Sequence, residues 1–482
     1  TDILSMLTKL RLSSMISSII RFYFNNKGDH NLLCVLMFLA TLSYNIVRSM
    51  KEDVLINLPG LSASYIPVVN LFVVLPLSFL LGGVYMNRLK RHHTAHAFRC
   101  LCFCLIGYQT LYTWLLSSHI DLLTPPDHLG QNVLLLRPFI QLIKSWPGIL
   151  YYASCELWGN FSLLVLFWQL ANDNYTTEQA KTAYPLFLMI SSFGIFCASF
   201  LVKYIHQTPH HLTSSWLIMV VIVALMMGIV SSLKQSSRKM KEHTYTSTWL
   251  DDMKDLLSRP NIMHLALSII IFYTLTNILE VTVKEMVGKT QYLSFMSHYL
   301  FYQGIMLMIT NLIGFRILRL LGWSIASMIT PFTCILTTNI FLFYRCGLLS
   351  SPFEMTAEHT MYYGIVAVII VQTAKYSFFD ATKEMFYIPM SVELRSKGKT
   401  LVDGVGTRVG KSAYGIVQFA LFFITGMDNM QAFLPYLAYL VVGLSLLWLW
   451  SSVCLQKHYH ASLASSNLPE QSHETYAHTT SG

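Results

Sequence analysis

Uncharged or nearly uncharged apolar runs, each about twenty residues and so long enough to cross a bilayer, recur from one end of this chain to the other. Twelve can be placed, at residues 31–50, 64–86, 95–117, 146–170, 183–205, 214–232, 262–283, 293–314, 323–344, 360–386, 401–425 and 432–455. Lipid offers no partner to a backbone N–H or C=O, so each run must close its hydrogen bonds within itself as a helix. Only 12% of the 482 residues are charged, about half the share found in soluble domains. The sequence therefore predicts an all-α membrane protein with about twelve transmembrane helices and excludes a soluble globular domain.

Charge outside the runs sets the expected topology. Arg88, Lys90, Arg91 and Arg99 fall between the second and third runs; Lys234, Arg238, Lys239, Lys241, Lys254 and Arg259 fall between the sixth and seventh. Basic loops stay on the cytoplasmic side, which puts both termini there as well. The net charge of +9 then reads as topology and an anionic substrate, not as nucleic-acid binding. The first segment, SMLTKLRLSSMISSIIRFYF, is interrupted by Lys9 and Arg11. It suits an amphipathic helix on the membrane surface better than a cleavable signal peptide.

The chain echoes itself. The first run ends NIVRSMKE, Asn45 to Glu52, and the seventh ends NILEVTVKE, Asn277 to Glu285. The starts of the fifth and eleventh runs, EQAKTAYPLF from Glu178 and RSKGKTLVDG from Arg395, both carry Lys-Thr. A polar stretch lies between the two copies. The expected layout is an amphipathic cytoplasmic segment at 1–28, a six-helix half at 29–232, a cytoplasmic linker at 233–260, a second six-helix half at 261–456 and a polar tail at 457–482. Six plus six helices in parallel repeat is the major-facilitator layout. GVYMNRLKR, Gly83 to Arg91, resembles the loop motif of that superfamily, with Asn87 and Lys90 at variant positions.

An ionised side chain near the middle of a bilayer costs about 2.5–3.5 kcal/mol on insertion scales, so charges inside the runs mark function. Glu156 has no charged neighbour on its own helix. Glu280 and Lys284 stand one turn apart and can pair, as can Arg48 with Lys51 or Glu52. Lys375, Asp380, Lys383 and Glu384 wind around the tenth helix with Tyr376, Phe378 and Phe379 among them. Such charges can tie helices together as ion pairs. Lysines from both halves facing one cavity would instead suit a polyanion, because an ammonium is a compact point charge for phosphate.

DGVGTRVGKS, Asp403 to Ser412, is a near miss to two nucleotide-binding loops. A phosphate-binding loop needs glycine where Val405 stands, and the dinucleotide fingerprint needs glycine where Val409 stands. Placed in the eleventh run, the segment is a helix face. Gly406 and Gly410 give the small-residue spacing that lets helices approach, and Arg408 and Lys411 project as two cations. No carboxylate pair for magnesium and no residue to orient an attacking water accompany it, so hydrolysis is not expected. Cys100, Cys102 and Cys104 turn by 200° per step on a helix and read as buried, inert thiols, not as a metal site.

The run FFDATKEMFYIP followed by GKTLVDGVGTRVGKS resembles a paired signature of the ATP/ADP translocases of plastids and intracellular bacteria. RSMKED, CELWGN and LFWQLAN are similar to further stretches of that family. The matches run in order from residue 48 to 415. The resemblance implies nucleotide transport, and its substrate-critical charges map onto Lys51, Glu156, Glu280 and Lys411. Ala381-Thr382 and Thr407-Arg408-Val409 depart from the family pattern, and Arg408 adds a cation.

These observations lead to a set of expectations. The chain exchanges ATP for ADP by alternating access without hydrolysis, as a monomer without cofactor in the inner membrane of an intracellular bacterium. Proton-coupled uptake of nucleoside triphosphates, with Glu156 as proton carrier, and transport of GTP or NAD are the alternatives. Candidate phosphate contacts are Lys51, Lys284, Lys375, Lys383, Arg408 and Lys411. Glu156 and Glu280 are candidate orienting carboxylates. Trp158, Tyr376, Phe378 and Phe379 are candidate stacking faces, with Arg48, Asn160 and Asp380 completing the substrate site.

Overall fold

The computed structural model describes residues 29–80, 94–117, 137–159, 167, 168, 170, 171, 177–233, 249–349, 356–387, 390, 394, 398, 402, 405–425 and 430–466. Among these every regular element is helical. In chain order they are α1 (Asp29–Asn57), α2 (Ala63–Leu80), α3 (Thr94–Leu111, extended by Tyr112–Leu116), α4 (Arg137–Lys144), α5 (Trp146–Trp158), α6 (Thr177–Gln207), α7 (His211–Ser232), α8 (Trp249–Ser258), α9 (Pro260–Met286), α10 (Tyr292–Arg345), α11 (Ala357–Phe386), α12 (Thr407–Thr425) and α13 (Met430–Ser466).

Eight stretches are long and apolar enough to span a bilayer: α1, α2, Leu186–Gln207 of α6, α7, α9, Gly322–Arg345 of α10, α11 and Phe433–Ala461 of α13. The other four expected runs are helical wherever they are described, in α3, α5, the first part of α10 and α12. The eighth and ninth runs form one continuous stretch, interrupted at Gly322. Its φ of 72° and ψ of 172° lie in a region open essentially to glycine. Pro147 lies in the first turn of α5, where a missing N–H costs nothing. α11 begins at a capping box. The His359 amide donates to Thr356 Oγ1 at 3.3 Å and the His359 ring answers the Thr356 amide at 3.4 Å.

Among the described residues, complete π-helical turns lie at Asn70–Val74 in α2, Tyr112–Leu116 in α3 and Lys375–Phe379 in α11. Each inserts a residue into the 3.6-residue repeat and swings the following side chains around the axis. The turn in α11 contains Lys375 and delivers Asp380 and Lys383 immediately after it.

Packing divides the chain into two compact units. Unit 1 holds residues 1–242, 280–313 and 415–430, and unit 2 holds 243–279, 314–414 and 431–482. In unit 1, α1 packs on α5, α6 and α7. There the backbone of α6 meets Gly304 of α10 so closely that a Cβ on Gly304 would lie 2.7 Å from the Phe196 nitrogen. In unit 2, α9 meets α12 at Gly410, where a Cβ would lie 2.8 Å from the Ile270 carbonyl oxygen and from Tyr273 Cβ. The small-residue reading of Gly410 thus has a direct contact behind it.

The three closely spaced cysteines differ from expectation. Cys102 is buried, but Cys100 and Cys104 are exposed. Positions 100 and 104 are one helical turn apart and share an outward face of α3, while the intervening step of 200° turns Cys102 inward. The loop motif at 83–91, the basic cluster at 234–241, Asn160 and the Lys-Thr of the eleventh run lie outside the described residues.

Candidate substrate site

In unit 1 the last turns of α1 carry a run of charge because three helices converge on it. Arg48 Nη2 donates to Glu280 Oε2 at 3.0 Å, and Lys284 Nζ donates to Glu52 Oε1 at 2.9 Å and to Glu280 Oε2 at 3.2 Å. Lys51 Nζ donates to Glu156 on α5 and stands 4.3 Å from the centre of the Tyr152 ring. The Tyr292 hydroxyl donates to the second oxygen of Glu52, and the Tyr152 hydroxyl to Asn70 Oδ1 in the π-helical turn of α2 at 3.3 Å. Lys51, Glu52 and Lys284 are buried. Three cations face three carboxylates here, so the cluster is close to neutral and every charge in it has a partner within reach. Arg48 and Glu280 lie 232 residues apart, and so do Glu52 and Lys284. The same interval separates the Asn45 and Asn277 that open the two sequence echoes.

Unit 2 builds a different cluster. The π-helical turn of α11 aims Lys375 Nζ at Asp380 Oδ2, 3.1 Å away, and Lys383 reaches the other oxygen of the same carboxylate at 3.8 Å. Two ammonium groups share one carboxylate. Lys375 also lies 4.0 Å from the centre of the Tyr376 ring and 5.9 Å from that of Tyr273 on α9, and Lys411 on α12 lies 6.0 Å from the same Tyr273 ring. Arg408 stands one turn before Lys411. The Asn277 side chain donates to the Lys411 carbonyl at 2.9 Å, and Thr274 Oγ1 to the Gly410 carbonyl at 3.3 Å, locking the α9–α12 seam that positions Lys411. Aromatic faces stand beside Lys375 and Lys411 in addition to the ion pairs of Lys375 and Lys383 with Asp380. An aromatic ring holds a cation without cancelling its charge.

A family model described as the TLC ATP/ADP transporter matches residues 30–459. The chain belongs to the TLC ATP/ADP transporter family. Similar relatives of this transporter include ADP,ATP carrier protein 4 of Rickettsia bellii, 27% identical over 89% of this chain and 90% of the relative. ADP,ATP carrier protein 3 of Rickettsia felis is 26% identical over 89% of this chain and 93% of its own length. Among solved structures, a D-xylose–proton symporter superposes with a TM-score of 0.56 at 12% identity, covering 88% of this chain and 96% of that one. The nucleoside transporter NupG superposes with a TM-score of 0.52 at 15% identity, covering 91% and 99%. These likenesses establish the fold, which is of the major-facilitator kind.

The structure sorts the expected site residues of this transporter into three groups. Lys51, Glu156, Arg48, Glu280 and Lys284 come together in unit 1, and Lys375, Asp380, Lys383 and Lys411 come together in unit 2. Trp158 and Phe379 do not offer stacking faces. Trp158 is fully buried, donates from Nε1 to Ser43 Oγ at 3.2 Å and packs against Phe98. Phe379 is stacked on Phe272 at 5.3 Å and set against Trp448, and Phe378 is buried too. Tyr376 is 40% exposed. Glu156, isolated along its own helix, acquires Lys51 from α1. Sequence reading gave no place to Tyr152, Tyr292 or Tyr273. They are uncharged residues in apolar runs, and only packing shows that each touches an ion.

Proposed function

We propose that this member of the ATP/ADP transporter family exchanges ATP for ADP by alternating access, without hydrolysis, across the inner membrane of an intracellular bacterium, with both termini cytoplasmic. The observation that carries the reading is the contrast between the two clusters. In unit 1 cations and carboxylates are matched pair by pair, whereas unit 2 gathers Lys375, Lys383 and Lys411 from two helices around Asp380 and the Tyr273 ring. A polyphosphate is the ligand whose charge such a group balances. Lys375, Lys383, Arg408 and Lys411 are therefore assigned to the phosphates, and Tyr376 to the base or ribose. The compensated pairs Arg48–Glu280, Glu52–Lys284 and Lys51–Glu156 are assigned to holding one conformation of the transport cycle.

Transfer of the phosphoryl group is not part of the proposal. A phosphate-binding loop works by aiming free backbone amides at the ligand, and the amides of Lys411 and Ser412 lie inside α12, beyond the first turn with its free donors. The cations of this segment act through side chains alone. For Glu156 the ion pair with Lys51 supports a positioning role.

The test is counterflow in proteoliposomes with labelled ATP, ADP, GTP and NAD, with and without internal ADP, at two external pH values. The expected result is uptake of ATP and ADP that requires internal nucleotide, is insensitive to a pH gradient and releases no phosphate. Uptake into empty vesicles driven by a pH gradient would replace exchange with proton coupling. Preferential flux of GTP or NAD would reassign the substrate.

A further inference from the structure

Tyr273 stands where two lysines from different helices meet. Lys375 of α11 and Lys411 of α12 approach its ring to 5.9 and 6.0 Å from the centre. The ring is held there firmly. Its neighbour Phe272 is clamped between Phe379 and Trp448, and the missing side chain of Gly410 lets α12 lie against Tyr273 Cβ. Tyr273 is half-buried, and among the described residues its hydroxyl makes no hydrogen bond. A phenol with two ammonium groups within 6 Å of its ring centre, and with its own donor unspent, has the character of a ligand contact. An aliphatic residue would offer neither a face for the cations nor a donor for an anion.

We infer that Tyr273 is a substrate-binding residue whose hydroxyl donates a hydrogen bond to a phosphate oxygen of a nucleoside di- or triphosphate bridged between Lys375 and Lys411. The inference rests on the phosphate assignment above and adds to it. The ring fixes the spacing of the two lysines, and the hydroxyl is a third, neutral donor to the polyphosphate.

The experiment measures binding of ATP, ADP and adenosine to the full-length transporter in nanodiscs, comparing Tyr273→Phe, Tyr273→Leu, Lys375→Ala and Lys411→Ala. Loss of a donor to a charged oxygen weakens binding roughly ten- to a hundredfold. Tyr273→Phe keeps the ring and should lose about that factor for ATP and ADP while leaving adenosine unchanged, with unfolding temperature unaltered. Tyr273→Leu should lose more. Unchanged ATP binding in Tyr273→Phe, with weakened binding in both lysine variants, would overturn the role of the hydroxyl and leave the phosphate site standing. Equal weakening for ATP and adenosine would place Tyr273 against the nucleoside and also overturn it. Lysine variants that bind ATP normally would remove the phosphate site itself.

Discussion

At the scale of single residues, the two clusters respond differently to the same chemical change. Truncating Lys51 takes its ammonium partner from Glu156, whose side chain is 11% exposed, a loss of up to about 3–5 kcal/mol for buried pairs. Lys51→Ala should therefore lower the unfolding temperature of the detergent-solubilised protein. Replacing both partners, Lys51→Met with Glu156→Leu, should recover most of that loss, since an apolar pair of similar volume needs no desolvation. A single variant as stable as the parent would show that the ion pair is not formed in the folded protein. In unit 2, Lys383→Ala leaves Asp380 with Lys375, so stability should change little. Affinity for ATP should fall by roughly ten- to a hundredfold against an unchanged affinity for adenosine, read by titration in nanodiscs. A parallel loss for both ligands would count against a phosphate contact. Trp158→Phe should leave ATP affinity alone and cost about 0.5–1.5 kcal/mol of stability through the lost bond to Ser43.

Elements are governed here by where helices touch without side chains. Gly410→Ala drives a methyl group into the Ile270 carbonyl and Tyr273. Neither a backbone oxygen nor a Cβ can rotate away, so α9 and α12 must part at a cost of about 1–3 kcal/mol. Gly228→Ala on α7 meets nothing within 4 Å and should stabilise the helix by about 0.4–1 kcal/mol. Thermal unfolding of the two variants side by side checks both signs, and a neutral Gly410→Ala would mean that the seam is looser than described. Much at this scale is legible in the sequence. Every expected apolar run is helical over its described residues, because hydrophobic length leaves lipid-embedded backbone no other solution. Lys-Ser after Gly410 is recognisable as a helix face for the same reason. The π-helical turns are not legible: KYSFFDATKE fits an uninterrupted helix equally well, and tertiary contacts decide that Lys375 turns back toward Asp380. That Trp158 and Phe379 are packed in the core is not legible either, because an aromatic ring in an apolar run looks the same whether it packs or binds. The partner of Glu156 was hidden because Lys51 is 105 residues away, and spacing within a helix says nothing about which helix lies alongside.

For the whole molecule, the pairs Arg48–Glu280 and Glu52–Lys284 should depend on the sign of charge at each end and not on which helix carries it. Arg48→Glu alone places two carboxylates together and should abolish ATP/ADP exchange in proteoliposomes. Combining it with Glu280→Arg should restore a measurable share, and failure of the double variant to exceed the single one would show that these side chains act independently. The 232-residue interval of both pairs has a further meaning. Each pair joins a position to its own counterpart in the repeated sequence, with opposite sign: plus then minus along α1, minus then plus along α9. Two copies of the α1 sequence, meeting in the same way, would set arginine against arginine and glutamate against glutamate, and two copies of the α9 sequence glutamate against glutamate and lysine against lysine. The duplicated stretches can therefore mate with each other but not with themselves. The inverted order of charge makes them a matched, non-interchangeable couple, which disfavours the corresponding like-to-like pairing between neighbouring molecules in a crowded membrane.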